Sequence, residues 1–372
     1  MTRSTVLSRW LALQIRKIRK TKNFRLAMFV YRTFDAFFSS MSRIQNLVER
    51  ASRRELPARI IRVHGVRSRG YGGGLLRLST FARRFSHVAV PNSKGSFSIS
   101  PQSDKVDSLY LIENDPQWRL KMLEFAAKSG AKTIFFGSED CTFPRQTDVR
   151  WSSFRDSEIA DFRKIIDTSH ASWFVENLDT PFQGVEAIPG GLLGNGPMQT
   201  WRVVSGGDFE EKRYNGKLVL ISHRIRSDPQ YDSRRKVTGL GEDAWSTFSH
   251  VIRPVEDENL TGTEMDIIEW RKLAKQFSFV ACVEGGGLSP SPKFFDVLVG
   301  KSIPIIRESA ISPVHELLPC VVVPSWEDKA LTEDFLLQKL DEIRGKWKNW
   351  TSVFERLTDN FWADYVLSRS TR

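Results

Sequence analysis

The sequence is poor in cysteine and has no apolar stretch long enough to cross a membrane. Its 372 residues include three cysteines, Cys141, Cys282 and Cys320, which lie far apart and form no C-x-x-C pair. An odd number at such spacing argues against a disulfide framework or a zinc site and is typical of a reducing compartment. No segment reaches the ~20 apolar residues of a membrane helix, and the N-terminus shows neither a secretory signal nor a signal anchor. We therefore expect a cytoplasmic protein.

Acidic residues are scarce at the front of the chain. Residues 1–100 hold 21 Lys and Arg against three acidic residues, a surplus of +18, whereas the remainder holds 34 basic and 41 acidic residues, a balance of −7. Such asymmetry predicts an anionic partner, which can be a nucleic acid, a membrane surface or a phosphorylated substrate. Residues 1–100 contain no RNP-like, zinc-finger or helix-turn-helix signature, so no nucleic acid is expected as a partner.

Residues 1–55 have the pattern of a basic amphipathic helical extension. Alternating four- and three-residue steps place six apolar side chains on one helix face: Val30, Phe34, Phe37, Met41, Ile44 and Val48. Three interpretations stay open for this face. It packs on the domain that follows, it lies on an anionic membrane surface as a peripheral anchor, or it pairs in a coiled coil.

From residue 56 onward, strand and helix patterns alternate, which is typical of parallel sheets covered by helices. Strands are predicted over 59–64, 108–113, 132–136, 172–176, 185–188, 217–222, 250–253, 279–283, 302–306 and 321–323. Helices are predicted over 75–85, 117–129, 157–166, 233–240, 262–276, 292–299, 311–318, 331–343 and 347–367. The predicted fold class is α/β, with two Rossmann-like doubly wound domains facing a cleft. We expect an N-terminal domain over 56–200, a C-terminal domain over 216–345 and a final helical segment, 346–372, that packs back on the first domain.

A glycine-rich loop with polar and charged residues follows the predicted strand 279–283. Glycine permits close approach of a ligand to the backbone, and a serine followed by proline is a favourable start for a helix. The N–H groups at such a helix start suit a diphosphate, a lysine adds positive charge, and a carboxylate can accept ribose hydroxyls. The sequence therefore predicts a nucleotide site made of Glu284, Gly285, Gly286, Gly287, Ser289, Ser291, Lys293 and Asp296.

This segment resembles the C-terminal signature of the exostosin-like glycosyltransferases. The residues that fill the pattern are Glu284, Gly285, Gly287, Lys293, Phe295, Asp296, Ile303, Pro304 and Ile305. The family commonly has Arg, Glu and Gly where this chain has Lys293, Asp296 and Lys301. The resemblance covers about residues 216–330. It implies a GT-B fold and a nucleotide-sugar donor substrate, with no cofactor.

Two further basic loops are candidates for contact with substrate. Arg224 and Arg226 follow the strand 217–222, and arginine suits bidentate contact with phosphate. In the first domain, a glycine-rich loop holds Arg67, Arg69, Gly72 and Gly73. It is not a dinucleotide fingerprint, because its last glycine is missing and no acid occurs from residue 56 to 103. We expect it to face an anionic acceptor.

Glycosyl transfer needs a group that stabilises the leaving diphosphate and, for inversion, a base for the acceptor hydroxyl. Four residues at predicted strand ends are alternative bases: Glu139, Asp140, Asp115 and His64. No D-x-D motif is present, so no metal is expected. The sequence predicts a metal-independent hexosyl- or pentosyltransferase that acts on a glycan or lipid-linked glycan in polysaccharide or glycoconjugate synthesis. The resemblance to the exostosin-like family implies that the transfer inverts the sugar. The alternatives are a basic nucleic-acid-binding protein and a non-catalytic membrane-surface adaptor.

Overall fold

A computed structural model describes most of the chain from residue 81 onward. The described residues are 81, 84–91, 97–99, 106–113, 116–137, 141–148, 151–191, 209–225, 229–252, 267–285, 290, 293–327, 329, 331–348 and 350–370. The predicted basic extension over 1–55, the strand over 59–64 and the glycine-rich loop of the first domain lie outside them. None of the helices in these ranges is both long and apolar enough to cross a membrane.

The first sheet has six described strands in the order β2-β1-β3-β4-β5-β6. Their bounds are β1 His87–Pro91, β2 Phe97–Ile99, β3 Ser108–Ile112, β4 Thr133–Gly137, β5 Ser172–Val175 and β6 Val185–Ala187. All neighbours pair in parallel except β1 and β2, which pair antiparallel, with Ala89 opposite Ile99. The strands β3 to β6 confirm the predicted ones. The pair β1–β2 was not predicted, because its strands are short and lie among Ser, Asn and Lys residues.

Two helices connect the parallel strands of the first sheet. They are α1 Arg119–Lys128, between β3 and β4, and α2 Asp156–Thr168, between β4 and β5. Both confirm predicted helices to within three residues at each end. The strand β4 is buried along its whole length, as expected for a central parallel strand covered on both faces.

The second sheet has five parallel strands in the order β11-β10-β9-β7-β8. Their bounds are β7 Val219–Ser222, β8 Ser249–Ile252, β9 Phe279–Ala281, β10 Ile303–Arg307 and β11 Val321–Val323. The chain starts at β7, steps outward to β8 and then crosses back to β9, from which it continues in the other direction. This reversal defines a doubly wound sheet and confirms the predicted Rossmann-like fold class.

Four helices within the described residues connect the strands of the second sheet, and each overlaps a predicted helix. They are α3 Asp232–Glu242, α4 Ile267–Ala274, α5 Lys293–Val299 and α6 Ser312–His315. The interior between these helices and the sheet is rich in aromatic side chains, with Phe277, Phe279, Phe294 and Phe295 all buried. Such rings bury large apolar areas and therefore contribute strongly to the stability of the second sheet.

The C-terminal segment forms three helices, α7 Glu333–Lys346, α8 Trp350–Arg356 and α9 Asp359–Arg369. The single helix predicted over 347–367 is wrong, because the chain breaks at Thr358, whose hydroxyl accepts a hydrogen bond from the Phe361 N–H and caps α9.

The last helix, α9, contacts the first sheet at three points. Asp359 pairs with Arg84 at 3.0 Å, the Arg369 carbonyl accepts a hydrogen bond from Ser172 at 3.5 Å, and the Arg369 side chain pairs with Glu186 at 3.4 Å. The contacts reach a residue shortly before β1, the first residue of β5 and the middle residue of β6. The domain limits proposed from the sequence stay predictions.

Candidate functional site

The strand order of the second sheet reverses between β7 and β9, so a crevice is expected at the carboxyl ends of these two strands. In doubly wound sheets, ligands bind outside the carboxyl ends of the strands at this point. The segment after β7 supplies His223 and Arg224, and the segment after β9 supplies Glu284 and Gly285. We call the site formed by these residues together with Arg234 and Lys293 the β7–β9 crevice.

Arg234 joins the two loops that form the crevice. Its Nη1 donates to the carbonyl of Arg224 at 2.9 Å, and its Nε donates to the carbonyl of Glu284 at 3.1 Å. The guanidinium lies 5.1 Å from the ring centroid of Tyr231, at the start of α3. One side chain thus holds both loops and adds a positive charge between them.

Lys293 begins α5, and its ammonium group is buried although part of its stem is exposed. The Nζ atom lies 5.6 Å from the centroid of the Trp270 ring, a cation–π contact. Burial and, to a lesser degree, the positive charge of Arg234 lower the pKa of Lys293 to about 7. An anion in the crevice would favour the charged form of this lysine.

Asp296 lies one helical turn beyond Lys293 and is bound by an arginine of the neighbouring helix α4. Arg271 donates to Asp296 Oδ1 from Nη2 at 2.7 Å and from Nε at 3.1 Å, and both side chains are largely buried. This pair joins α4 to α5. The predicted contact between Asp296 and ribose stays a prediction, and the carboxylate has a structural task that the sequence did not reveal.

Glu284 also has partners within the protein. Its Oε1 pairs with Arg307 Nη2 at 2.7 Å, and its Oε2 accepts a hydrogen bond from Trp326 Nε1 at 3.0 Å. Arg307 ends β10 and Trp326 follows β11, so Glu284 links the carboxyl ends of three adjacent strands. The role of Glu284 in nucleotide binding stays a prediction.

His223 is a residue of the crevice that the sequence analysis did not single out. It is buried directly after β7, and its Nε2 lies 3.0 Å from the carbonyl of Arg234 and 3.1 Å from Thr238 Oγ1. Burial and, to a lesser degree, the charge of Lys293 lower the pKa of His223 to about 3, so the ring is neutral at neutral pH. Its place directly after a fully buried strand was the available signal.

Arg224, which the sequence predicted to contact phosphate, follows β7 and has an exposed side chain at the crevice. The other predicted donor residues lie outside the described residues: Arg226, Gly286, Gly287, Ser289 and Ser291. The same holds for the acceptor-side loop with Arg67, Arg69, Gly72 and Gly73, and for the four alternative bases, His64, Asp115, Glu139 and Asp140. Their roles stay predictions.

The carboxyl edge of the first sheet contains a buried ion pair that the sequence analysis missed. Glu113 follows β3, and its two oxygens accept from Arg119 Nε at 2.9 Å and Nη2 at 2.8 Å. Both side chains are fully buried, and the guanidinium lies 4.7 Å from the ring centroid of Phe154. This pair fixes the turn from β3 into α1.

An open groove lies beside this turn at the carboxyl edge of the first sheet. Its lining combines the half-buried indole of Trp151 with hydroxyl, amide and charged groups, and the lining residues are Pro116, Gln117, Trp151, Ser152, Ser153, Phe154, Arg155 and Glu158. Across the described ranges, no group of three or more His, Cys, Asp or Glu side chains is arranged to hold a metal ion.

No protein-family model matches the chain, and no curated protein matches it. Among solved structures it is similar to the glycotransferase of kitacinnamycin, with 11% identity over 72% of this chain and 77% of that one, and a TM-score of 0.31. It is also similar to Anabaena HepE in complex with UDP and glucose, with 10% identity over 72% and 76% of the two chains, and a TM-score of 0.32. The structure of HepE with UDP gives 9% identity, 72% and 77% coverage, and a TM-score of 0.33.

TM-scores of this size do not establish a shared fold, so the class of the protein rests on its own sheets. The strand order defines an α/β protein with two Rossmann-like sheets, of which the second is doubly wound. Membership in the exostosin-like family stays a prediction from the segment 279–306.

Proposed function

We propose that this protein is a glycosyltransferase that binds the nucleotide of a nucleotide-sugar donor in the β7–β9 crevice. The observation that carries the proposal is the position of Arg234 and Lys293, two cations directly at the reversal of strand order. This is the location at which doubly wound sheets bind nucleotides, and the two positive charges match a diphosphate. The likeness of the segment 279–306 to the exostosin-like signature supports the same assignment.

The backbone at Gly285 leaves room for the guanidinium of Arg234. Gly285 has no side chain, and the space that its Cβ would fill is taken by the guanidinium of Arg234, whose Cζ would lie 3.0 Å away. Arg224 adds a cation on an exposed side chain at the opposite wall. The diphosphate therefore meets a rigid central arginine, a buried lysine and an exposed arginine.

These cations also suit the chemistry of transfer. As the bond between sugar and diphosphate breaks, negative charge develops on the leaving phosphate, and preorganised cations lower the energy of that state. We propose that Lys293 and Arg224 supply this stabilisation, and that the reaction inverts the sugar without a metal. The base that accepts the proton of the acceptor hydroxyl is then one of Glu139, Asp140, Asp115 and His64.

The acceptor is proposed to bind at the carboxyl edge of the first sheet. The groove there offers the indole of Trp151 as a flat apolar surface, with Gln117, Ser152, Ser153 and Arg155 as hydrogen-bonding groups around it. This combination suits a glycan, which presents both apolar ring faces and hydroxyls. A lipid-linked glycan would bring this site to a membrane, where the basic extension 1–55 would bind the anionic surface.

The first test is a screen for nucleotide-sugars. The purified protein is incubated with UDP-, GDP- and CMP-sugars and with RNA, and its melting temperature is measured. We expect at least one nucleotide-sugar to raise the melting temperature and RNA to leave it unchanged. The reverse result would favour the nucleic-acid-binding alternative and end the proposal. Product NMR with the stabilising donor would then identify the transferred sugar and its stereochemistry.

Two variants test the placement of the donor. Lys293→Met and Arg224→Ala are expected to weaken binding of the stabilising nucleotide-sugar by about tenfold or more, because each removes a charged contact. Lys272→Met on α4 and Lys236→Ala on α3 are matched controls, since both remove an exposed lysine outside the crevice. If the crevice variants and the controls bind the nucleotide-sugar with equal affinity, the donor does not bind in the β7–β9 crevice.

A further inference from the structure

His223 has one ring nitrogen that is engaged by the protein and one that is not. Its Nε2 lies 3.0 Å from the carbonyl oxygen of Arg234, and a carbonyl oxygen can only accept a hydrogen bond. The ring proton therefore resides on Nε2. The ring is neutral at neutral pH because burial lowers the pKa of His223 to about 3. Its Nδ1 consequently carries a free lone pair and can act only as an acceptor.

The lone pair of Nδ1 is buried and has no hydrogen-bond partner among the described residues. Buried acceptors are almost always satisfied, so an unsatisfied one at a candidate site points to a group that arrives with a ligand. The helix α3 occupies the Nε2 edge of the ring through Arg234 and Thr238. Nδ1 is not engaged by α3, and the charge of Lys293, another residue of the crevice, acts on the same ring.

The chemistry of this nitrogen restricts what it can bind. An ionised phosphate offers only acceptor oxygens, so it cannot bond to the lone pair of Nδ1. A hydroxyl can donate to it. In a nucleotide-sugar, hydroxyls stand on both sides of the diphosphate, on the ribose and on the transferred sugar.

We propose that His223 is a binding residue of the β7–β9 crevice whose Nδ1 accepts a hydrogen bond from a hydroxyl adjacent to the diphosphate of the donor. The inference rests on the proposed function, because it requires a nucleotide-sugar in this crevice. His223 would thus bind a neutral hydroxyl of the donor, whereas Arg224, Arg234 and Lys293 would bind the negatively charged diphosphate. The ribose and the sugar are the two possible sources of that hydroxyl.

Two substitutions separate the two edges of the ring. In His223→Gln, the side-chain amide nitrogen takes the position of Nε2, so the bond to the Arg234 carbonyl can persist while the Nδ1 acceptor is lost. In His223→Asn, the amide oxygen takes the position of Nδ1, so the acceptor persists while the bond to Arg234 is lost. His250→Asn on β8 is a matched control, since this histidine packs edge-to-face against Tyr214 and stacks on Phe277.

The measurement is the affinity of each full-length variant for UDP-, GDP- and CMP-sugars by calorimetry, together with its melting temperature. We expect His223→Gln to weaken binding of the sugar nucleotide that the wild type binds by about tenfold, with a small change in melting temperature. His223→Asn should show the opposite pattern, with a lower melting temperature and nearly wild-type affinity. The control should bind as the wild type does.

The outcomes are distinguishable from failure of the proposed function. If the wild type binds no nucleotide-sugar, the proposed function fails and this inference fails with it. If the wild type binds one and His223→Gln binds it equally well, or if affinity falls in step with melting temperature in both variants, the role of His223 alone is overturned. The corresponding nucleoside diphosphate distinguishes the two sources. If His223→Gln loses affinity for the sugar nucleotide alone, the hydroxyl that donates to Nδ1 belongs to the sugar. If the variant loses affinity equally for the nucleoside diphosphate, the hydroxyl belongs to the ribose.

Discussion

The guanidinium of Arg234 occupies the space that a side chain at position 285 would need. A Cβ added to Gly285 would clash with Arg234 Nη2 and would lie 3.0 Å from Arg234 Cζ. We therefore expect Gly285→Ala to displace Arg234 and to weaken binding of the nucleotide-sugar by about tenfold, since the hydrogen bonds to both loops depend on that guanidinium.

Gly239→Ala is the matched control for that substitution. Gly239 lies in α3, and a Cβ there would meet no atom within 4 Å. Alanine is favoured over glycine inside a helix by about 1 kcal/mol, so this variant should raise the melting temperature without changing affinity. Wild-type affinity in Gly285→Ala would show that the position of Arg234 does not matter for binding.

Binding of an anionic nucleotide should be accompanied by uptake of a proton. The pKa of Lys293 is about 7 in the folded protein against an ordinary value near 10.5, so at pH 8 the side chain is mostly neutral. A diphosphate beside it favours the ammonium form and draws a proton from the buffer. Calorimetry at pH 8 should therefore give a more endothermic heat in Tris than in a buffer of low ionisation enthalpy. Lys293→Met should abolish the difference, and a heat that is independent of buffer in the wild type would contradict the expectation.

Stability should fall on acidification because of two buried histidines. The pKa of His223 is lowered to about 3 and that of His315 to about 4, in both cases mainly by burial. Below pH 6.5 the unfolded chain binds protons that the folded chain excludes, so the free energy of unfolding decreases as the pH falls from about 6.5 towards 4. Urea unfolding at pH 7 and pH 5 should show a smaller decrease in the double variant His223→Gln, His315→Gln. If the free energy of unfolding decreases equally in the wild type and in the double variant, the two histidines do not cause the loss of stability.

Replacing Asp296 should affect the fold as well as any ligand. The largely buried guanidinium of Arg271 would lose its carboxylate, and removing one partner of a buried pair costs about 3–5 kcal/mol. Asp296→Ala should therefore lower the melting temperature, and Asp296→Asn, which keeps an acceptor oxygen, should lower it less. An unchanged melting temperature in Asp296→Ala combined with a loss of donor affinity would instead support the ribose contact.

The ion pair at the edge of the first sheet permits a sharper test of burial. Arg119→Met leaves the carboxylate of Glu113 buried without its cation, and we expect a loss of about 3–5 kcal/mol in urea unfolding. The double variant Arg119→Met, Glu113→Leu should recover much of that loss, because the surroundings include the rings of Phe136, Phe143 and Phe154. A double variant no more stable than the single one would show that the pair itself is needed.

Much of the fold could be predicted from the sequence because parallel strands buried on both faces are continuous apolar runs. The runs at β4 and β9 are of this kind, and both strands lie where they were expected. The pair β1–β2 was missed because its strands are short, and the break at Thr358 was missed because apolar residues continue on both sides of it. A capping threonine followed by an acidic residue was the available signal at that break.

The candidate site was predictable in its location but not in its internal contacts. A strand followed by glycines and a helix start marked Gly285 and Lys293. The partners of Asp296 and Glu284, Arg271 and Arg307, come from other elements, and a single sequence does not show which elements become neighbours. His223 belongs to no sequence motif. Its proposed role depends on the different surroundings of its two ring nitrogens, which only the folded protein shows.

The return of α9 to the first sheet has a consequence for synthesis on the ribosome. The strands of that sheet are complete by residue 187, yet the pairing of Glu186 with Arg369 must wait for about 180 further residues. At 5–20 residues per second, this interval is about 10–40 s. During that time the nascent first sheet lacks its final helix, so truncation before α9 should yield chains that chaperones retain or proteases remove.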